Sequence, residues 1–242
     1  MDTASLIAAT SPTIGAVGSA FYFTPETVGR GKALGLDGFR FYVLGRGGVL
    51  GDAEAPVVAS AFGWWNGALI AKMWESARAQ LAPREAGRIY HECAADLGRA
   101  KLAGVEDLSG FCLAAEQIIG AADPAGLALF AGIAAEPLAE DLPGRALQLV
   151  AVLREFRGSA HIVAVRAAGL PMHLAHFIRR PDMYKSFGWG ETAPDVDDGH
   201  RQELDHAESL TDLIVTPAFA SLGADQAAAF VSGVDRIKAA FA

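Results

Sequence analysis

Apolar positions recur at three- and four-residue spacing through a succession of Ala- and Leu-rich segments, and almost nowhere do they alternate as a half-buried strand requires. Pro and Gly punctuate these segments, and the residues that open them are helix starters. Asp52 is placed to cap a helix through Ala53–Phe62. A second helix is read over Trp64–Leu81, with Trp65, Leu69, Lys72 or Met73, and Ser76 along one side. Pro83 restarts the chain in the first turn of a helix, where its missing N–H does no harm, and Pro124, Pro143 and Pro171 repeat the device. Asp107 or Ser109 caps the segment from Phe111 to Ala122. The one strand candidate is Phe39–Leu44, FRFYVL, where β-branched and aromatic residues concentrate. The expected fold is mainly α: two packed helical halves, residues 1–140 and 141–242, with a seam near Ala139–Pro143, or the same helices in one compact unit. The polar, acidic stretch Glu191–His200 is the expected mobile loop before a last pair of helices.

Composition narrows the classes of function. Of 242 residues 52% are apolar, enough for a substantial core and too much for disorder. No run of about eighteen uninterrupted apolar residues exists, and MDTASLIAATSP opens with an acid rather than a basic region, so neither a membrane span nor an export signal is expected. Cys93 and Cys112 sit in apolar helical contexts without metal-ligand spacing, which predicts free core thiols and a cytoplasmic protein. The net charge of -8 opposes attraction to phosphate backbones and to anionic lipid, so nucleic acid is disfavoured as a partner.

The stretch Leu153–Gly169 carries the most chemistry, because an apolar, buried-looking helix there holds Glu155, Arg157 and His161, and charges so placed must pair or bind something. Glu208 and Asp212, four residues apart, share a helix face that could dock against Arg157 and His161. Such a cluster either fixes packing or forms the polar side of a ligand pocket. In the second case Arg46 joins it, the walls are Tyr22, Phe41, Tyr42, Phe62, Trp64 and Trp65, and Asn66 is a further contact. The pocket is expected between the Phe39–Gly51 segment and the Phe62–Trp74 helix, with the Arg157–His161 helix as its floor. If a reaction is catalysed, His161 is the general acid/base and Glu155 or Asp212 orients it.

Other motifs are weaker. Gly45, Gly47, Gly48 and Gly51 follow the strand candidate, but the spacing is GxGxxxG without GK[ST], so a glycine turn between helices is expected rather than a nucleotide loop. Ser159 lacks the GxSxG elbow of a hydrolase. His200, Glu203, Asp205 and His206 spread over more than half a helix circumference and predict a solvated face rather than a metal site. His91, His173 and His176 have apolar neighbours and predict buried or interface histidines. No metal site and no cofactor is assigned.

Tyr22-Phe23-Thr24-Pro25-Glu26, Phe41–Arg46 with Leu50-Gly51, Val57-Val58-Ala59 with Phe62 and Asn66, Arg154–Gly158 with His161 and Ala168-Gly169-Leu170, Gly188-Trp189, and Glu208–Asp212 occur in one order along the chain. In that order they resemble a large actinobacterial family of helix-turn-helix proteins with no established general activity. The resemblance spans nearly the whole chain and implies that the second half derives from a helix-turn-helix or winged-helix module. Arg157-Gly158-Ser159-Ala160-His161 departs from the family's Arg-Gly-Asp-Gly-His and loses a carboxylate, and Gly15 and Gly18 replace an early glutamate and histidine. After Trp189 the short acidic loop takes the place of a helix and wing-like turn, so the wing is expected to be lost.

Locally, His161–Arg180 fits helix, short turn, helix, yet the second helix, MHLAHFIRR, offers few base-reading side chains. These features together predict a cytoplasmic protein that binds a small organic ligand, aromatic or acyl and anionic, with Arg46 or Arg157 as charge partner. A homodimer formed through apolar helix faces is expected. A helix-turn-helix DNA-binding regulator is the alternative from another class, and an enzyme using His161 is the third.

Overall fold

The computed structural model describes all residues, Met1–Ala242. Twelve helices follow one another: α1 (Thr3–Val17), α2 (Pro25–Ala33), α3 (Gly38–Gly48), α4 (Ala55–Phe62), α5 (Gly67–Arg78), α6 (Pro83–Leu102), α7 (Leu108–Ala121), α8 (Ala128–Ala134), α9 (Leu142–Ala167), α10 (Met172–Arg179), α11 (Asp198–Phe219) and α12 (Ala224–Ala240), with no strand. Six begin at a side chain that accepts from first-turn N–H groups: Asp2, Thr24, Asp37, Asn66, Asp141 and Asp197.

The mainly helical fold is as the spacing predicts, and several local expectations are corrected: Pro124 opens no helix, since α8 begins at Ala128, and Asp107 precedes α7 without a side-chain bond to its first turn. Phe39–Leu44 is helical, in α3. The Asp37 carboxylate accepts from the N–H groups of Phe39 and Arg40, and Phe41, Tyr42, Val43 and Leu44 are all buried, so packing on every side overrides strand propensity. Gly45, Gly47 and Gly48 form no turn but lie within α3, where Gly45 and Gly48 let α6 approach and Gly47 faces Val58 of α4 and Trp74 of α5. The backbone of Gly48 rests on Pro83 and Gly87, and a Cβ at Gly48 would stand 2.8 Å from the Gly87 nitrogen. The helix expected from Trp64 begins only at Gly67, leaving Trp64 and Trp65 in the connection after α4. Asp52 caps nothing: its carboxylate pairs with Arg78 at 2.9 Å, and α4 starts at Ala55 without a side-chain cap.

α9 is the centre of the molecule. Twenty-six residues long, it packs against α1, α6, α7, α8 and α11, and it is buried nearly all round, so its sequence has no strong amphipathic stripe. One core cluster, around Phe111, Phe130, Phe156 and Phe230, draws on α1, α6, α7, α8, α9, α11 and α12. A second, around Phe41, Phe62, Trp74 and Tyr90, is built from α3 to α6 and closes on Ala151 of α9. A small third cluster joins the end of α9 to α10 and α11 through Val165, Leu170, Leu174 and Leu204. It gives α9, the Ala168–Pro171 turn and α10 the helix, turn, helix form expected there, and no strand follows where a wing would stand.

The α3–α6 crossing is tight enough to test. Gly48→Ala should lower stability by about 1–3 kcal/mol, a melting-temperature drop of roughly 2–4 °C per kcal/mol, because the new methyl meets backbone that cannot yield. Gly29→Ala, a helical position in α2 with nothing within 4 Å of the new Cβ, should raise stability instead. Equal melting temperatures for the two variants would contradict the crossing as the cause.

Candidate functional site

The charge in the middle of α9 is satisfied inside the protein. Glu155 is 3% exposed and Arg46 9%, and the guanidinium of Arg46 meets the carboxylate with two parallel bonds, Nε to Oε1 and Nη2 to Oε2, each 2.8 Å. Arg154 Nη1 and the Tyr22 hydroxyl also donate to Oε1, both at 2.8 Å. Burial alone would raise the Glu155 carboxyl, but Arg46 and Arg154 outweigh it and hold its pKa at about 2. Burial pushes the Tyr22 phenol far above its ordinary value, so it stays a donor. The ring of Phe62 lies 4.5 Å from the Arg46 guanidinium carbon and the ring of Tyr22 lies 5.0 Å from that of Arg154, so both cations also rest on aromatic faces.

Above this buried pair opens a cavity of about 660 Å³, with Tyr42, Phe62, Trp64, Trp65 and Phe187 among its walls and Arg46, Arg154, Arg179 and Arg180 as its charged lining. Trp65 stacks on Phe187 with centroids 3.8 Å apart and planes 10° from parallel, and its indole N–H donates to the Tyr42 hydroxyl at 3.2 Å. Phe187 comes from the irregular segment after α10. Gly188 takes φ +81 there, a conformation that favours glycine, and the Asn66 N–H donates to the Phe187 carbonyl at 3.0 Å. Asn66 thus works as the cap of α5 and as the anchor of Phe187, outside the cavity lining. Phe41 is buried in the core beneath, also outside the lining.

A second group sits at the seam of α9 and α11. Arg157 gives Nη1 to Asp212 at 2.5 Å and Nη2 to Glu208 at 3.2 Å, and Arg179 of α10 pairs with the same Glu208. His161 Nε2 lies 3.6 Å from Glu208 Oε1, so Arg157, His161, Glu208 and Asp212 do converge. Neither Glu155 nor Asp212 orients the imidazole. Thr211 does: its hydroxyl donates to the Ala207 carbonyl at 2.6 Å, so at 2.7 Å it accepts from His161 Nδ1. Trp64 stacks on the same ring at 5.3 Å. Burial, and then the charges of Arg179 and Arg157, lower the His161 pKa to about 3, so the imidazole is neutral at physiological pH.

Sequence reasoning missed Thr211, Arg154, Arg179, Arg180 and Phe187. Arg154 had one signal, a charge on the same buried helix as Glu155, and Arg179 and Arg180 had theirs as the basic end of a helix, whereas Phe187 had none. His200 is spent in capping α11, pairing with Asp197 at 2.8 Å, so the expected loop ends before it. No group of three or more His, Cys, Asp or Glu side chains is placed to hold a metal ion. Cys93 and Cys112 are buried and unpaired.

A family model described as a helix-turn-helix family matches residues 7–193, a span that includes every residue lining the cavity. Comparisons with curated proteins and with solved structures give no match.

Two measurements follow from these charges. Arg46→Ala leaves a buried carboxylate with one guanidinium in place of two and should cost about 3–5 kcal/mol in urea unfolding. A loss under about 1 kcal/mol would mean the pair is solvated. For pH, burial lowers the pKa of His91 to about 4 and that of His161 to about 3, while the unfolded chain protonates both near 6.5. Unfolding therefore takes up protons as pH falls below about 6.5, and stability, full above that pH, should decline steadily toward pH 4. His91→Leu, at a ring with neither nitrogen bonded, should remove part of that decline. A urea midpoint flat from pH 7 to pH 4 would contradict it.

Proposed function

This chain belongs to that helix-turn-helix family, and from that premise we propose that it is a binding protein for a small organic ligand with an aromatic part. The observation that carries this reading is the aromatic cavity. Its volume of about 660 Å³ falls in the range of ligand pockets, and its mixture of apolar wall with few charged groups is what such sites use for affinity and orientation. The Trp65–Phe187 pair offers a flat shelf at its edge. The unpaired thiols suit a reducing compartment such as the cytoplasm, and no helix is long and apolar enough to cross a membrane.

A DNA-binding regulator is the second reading, and the family match favours it. Against it, Leu174, Ala175 and His176 of α10 are buried, and Arg179 and Arg180, the cations at its end, line the cavity. Of the rest of α10, Met172, Phe177 and Ile178 are apolar and give base edges nothing to hydrogen-bond. Catalysis by His161 finds less support, because general acid–base work needs a pKa near the working pH and this ring is held at about 3.

Tryptophan fluorescence with a panel of flat aromatic ligands tests the binding reading. Quenching that saturates is expected, and Phe187→Ala should weaken it by about three- to tenfold through loss of the stack. Absence of quenching by any ligand, with sub-micromolar binding to random duplex that weakens steeply with salt, would overturn it in favour of the regulator.

A further inference from the structure

The charge around the cavity specifies the ligand further. A neighbouring groove of about 530 Å³ shares Ser19, Trp64, Arg154, Arg179 and Arg180 with the cavity, so the two form one channel with an aromatic end and a cationic end. Five guanidiniums line this channel: Arg46, Arg154, Arg157, Arg179 and Arg180. The carboxylates paired with them are Glu155, Glu208 and Asp212, so two positive charges are left over. They do not reflect the composition of the chain, whose net charge is -8. Arg46 and Arg157, the arginines that the sequence nominates as charge partners, each give two bonds to carboxylates. Arg180 has no ion pair, and Arg154 and Arg179 share their acids with other arginines. Besides burial, Arg157 and Arg180 press on Arg179 as like charges and lower its pKa. Holding like charges together is unfavourable until an anion joins them.

We propose that the channel binds an aromatic phosphate monoester, its ring on the Trp65–Phe187 shelf and its dianionic phosphate among Arg154, Arg179 and Arg180. The proposal rests on the reading of the cavity as a ligand site and adds the ligand's charge. A phosphate dianion matches the two unbalanced charges, and its oxygens suit the fork of donors on each guanidinium.

The test is calorimetric titration of the intact protein with phenyl phosphate, benzenesulfonate, phenol and inorganic phosphate at constant ionic strength. Phenyl phosphate should bind at least about tenfold more tightly than any of the others at pH 7.5, and its advantage over benzenesulfonate should vanish at pH 5, below the second phosphate pKa of about 6. Arg180→Gln changes an exposed, unpaired side chain, so the fold should persist, and it should weaken phenyl phosphate about tenfold while leaving phenol unchanged. Equal affinity for phenol and phenyl phosphate would overturn the anion claim while the ligand site stands. Equal affinity for inorganic phosphate and phenyl phosphate would overturn the role of the ring. Binding of none of the four would overturn the proposal, and the ligand site itself if the wider aromatic panel also fails to quench. Tight binding of random duplex, lost in Arg180→Gln and with no response to phenyl phosphate, would assign these arginines to nucleic acid and overturn the proposal.

Discussion

The ion pair of Arg46 with Glu155 ties α3 to the central helix α9. Glu155 lies mid-way along the central helix α9, in a stretch otherwise buried, and Arg46 reaches it from α3 across 109 positions of sequence. A lone carboxylate there would be strongly unfavourable; with two guanidiniums and a tyrosine hydroxyl it stays ionised. The geometry also dictates its neighbours. The Arg46 guanidinium lies over Phe62, the Arg154 guanidinium over Tyr22, and Tyr42 accepts from both Arg46 and Trp65. The aromatic wall of the cavity is therefore built on the buried pair, link by link.

A consequence is the division of labour among the arginines. Those with firm carboxylate partners, Arg46 and Arg157, hold helices together. Arg154 works on both sides, spending one nitrogen on Glu155 and Tyr22 while lining the cavity. Arg179 and Arg180 arrive from the end of α10, the second helix of the helix-turn-helix unit, where they are exposed at the lining of the cavity. The cations at the end of α10 thus border a cavity while remaining open to solvent.

Much of the fold is legible in the sequence because helix starts are chemical events: Pro143 marks the entry to α9 without reference to the rest of the chain. FRFYVL misleads because its propensity is for strands, and only its burial on every side, a tertiary fact, makes it helical. The glycines after it look like a loop until α6 is seen lying against Gly45 and Gly48. At the site, Arg157, His161, Glu208 and Asp212 could be grouped from two helix faces of matching charge. Glu155 could not be assigned, since its three partners come from α3, from the segment after α1 and from the preceding residue of α9. Phe187 belongs to an irregular segment and obeys no period that could have placed it.

The dependence of the cavity on the buried pair is tested most directly by a double-mutant cycle. Arg46→Met, Glu155→Gln and the combined variant would be compared with the unaltered protein by urea unfolding at neutral pH. If the two side chains act as one unit, the combined loss should fall short of the sum of the single losses by about 1.5 kcal/mol or more. Losses that add within about 0.5 kcal/mol would contradict the account, because the guanidinium and the carboxylate would then be stabilising the fold independently.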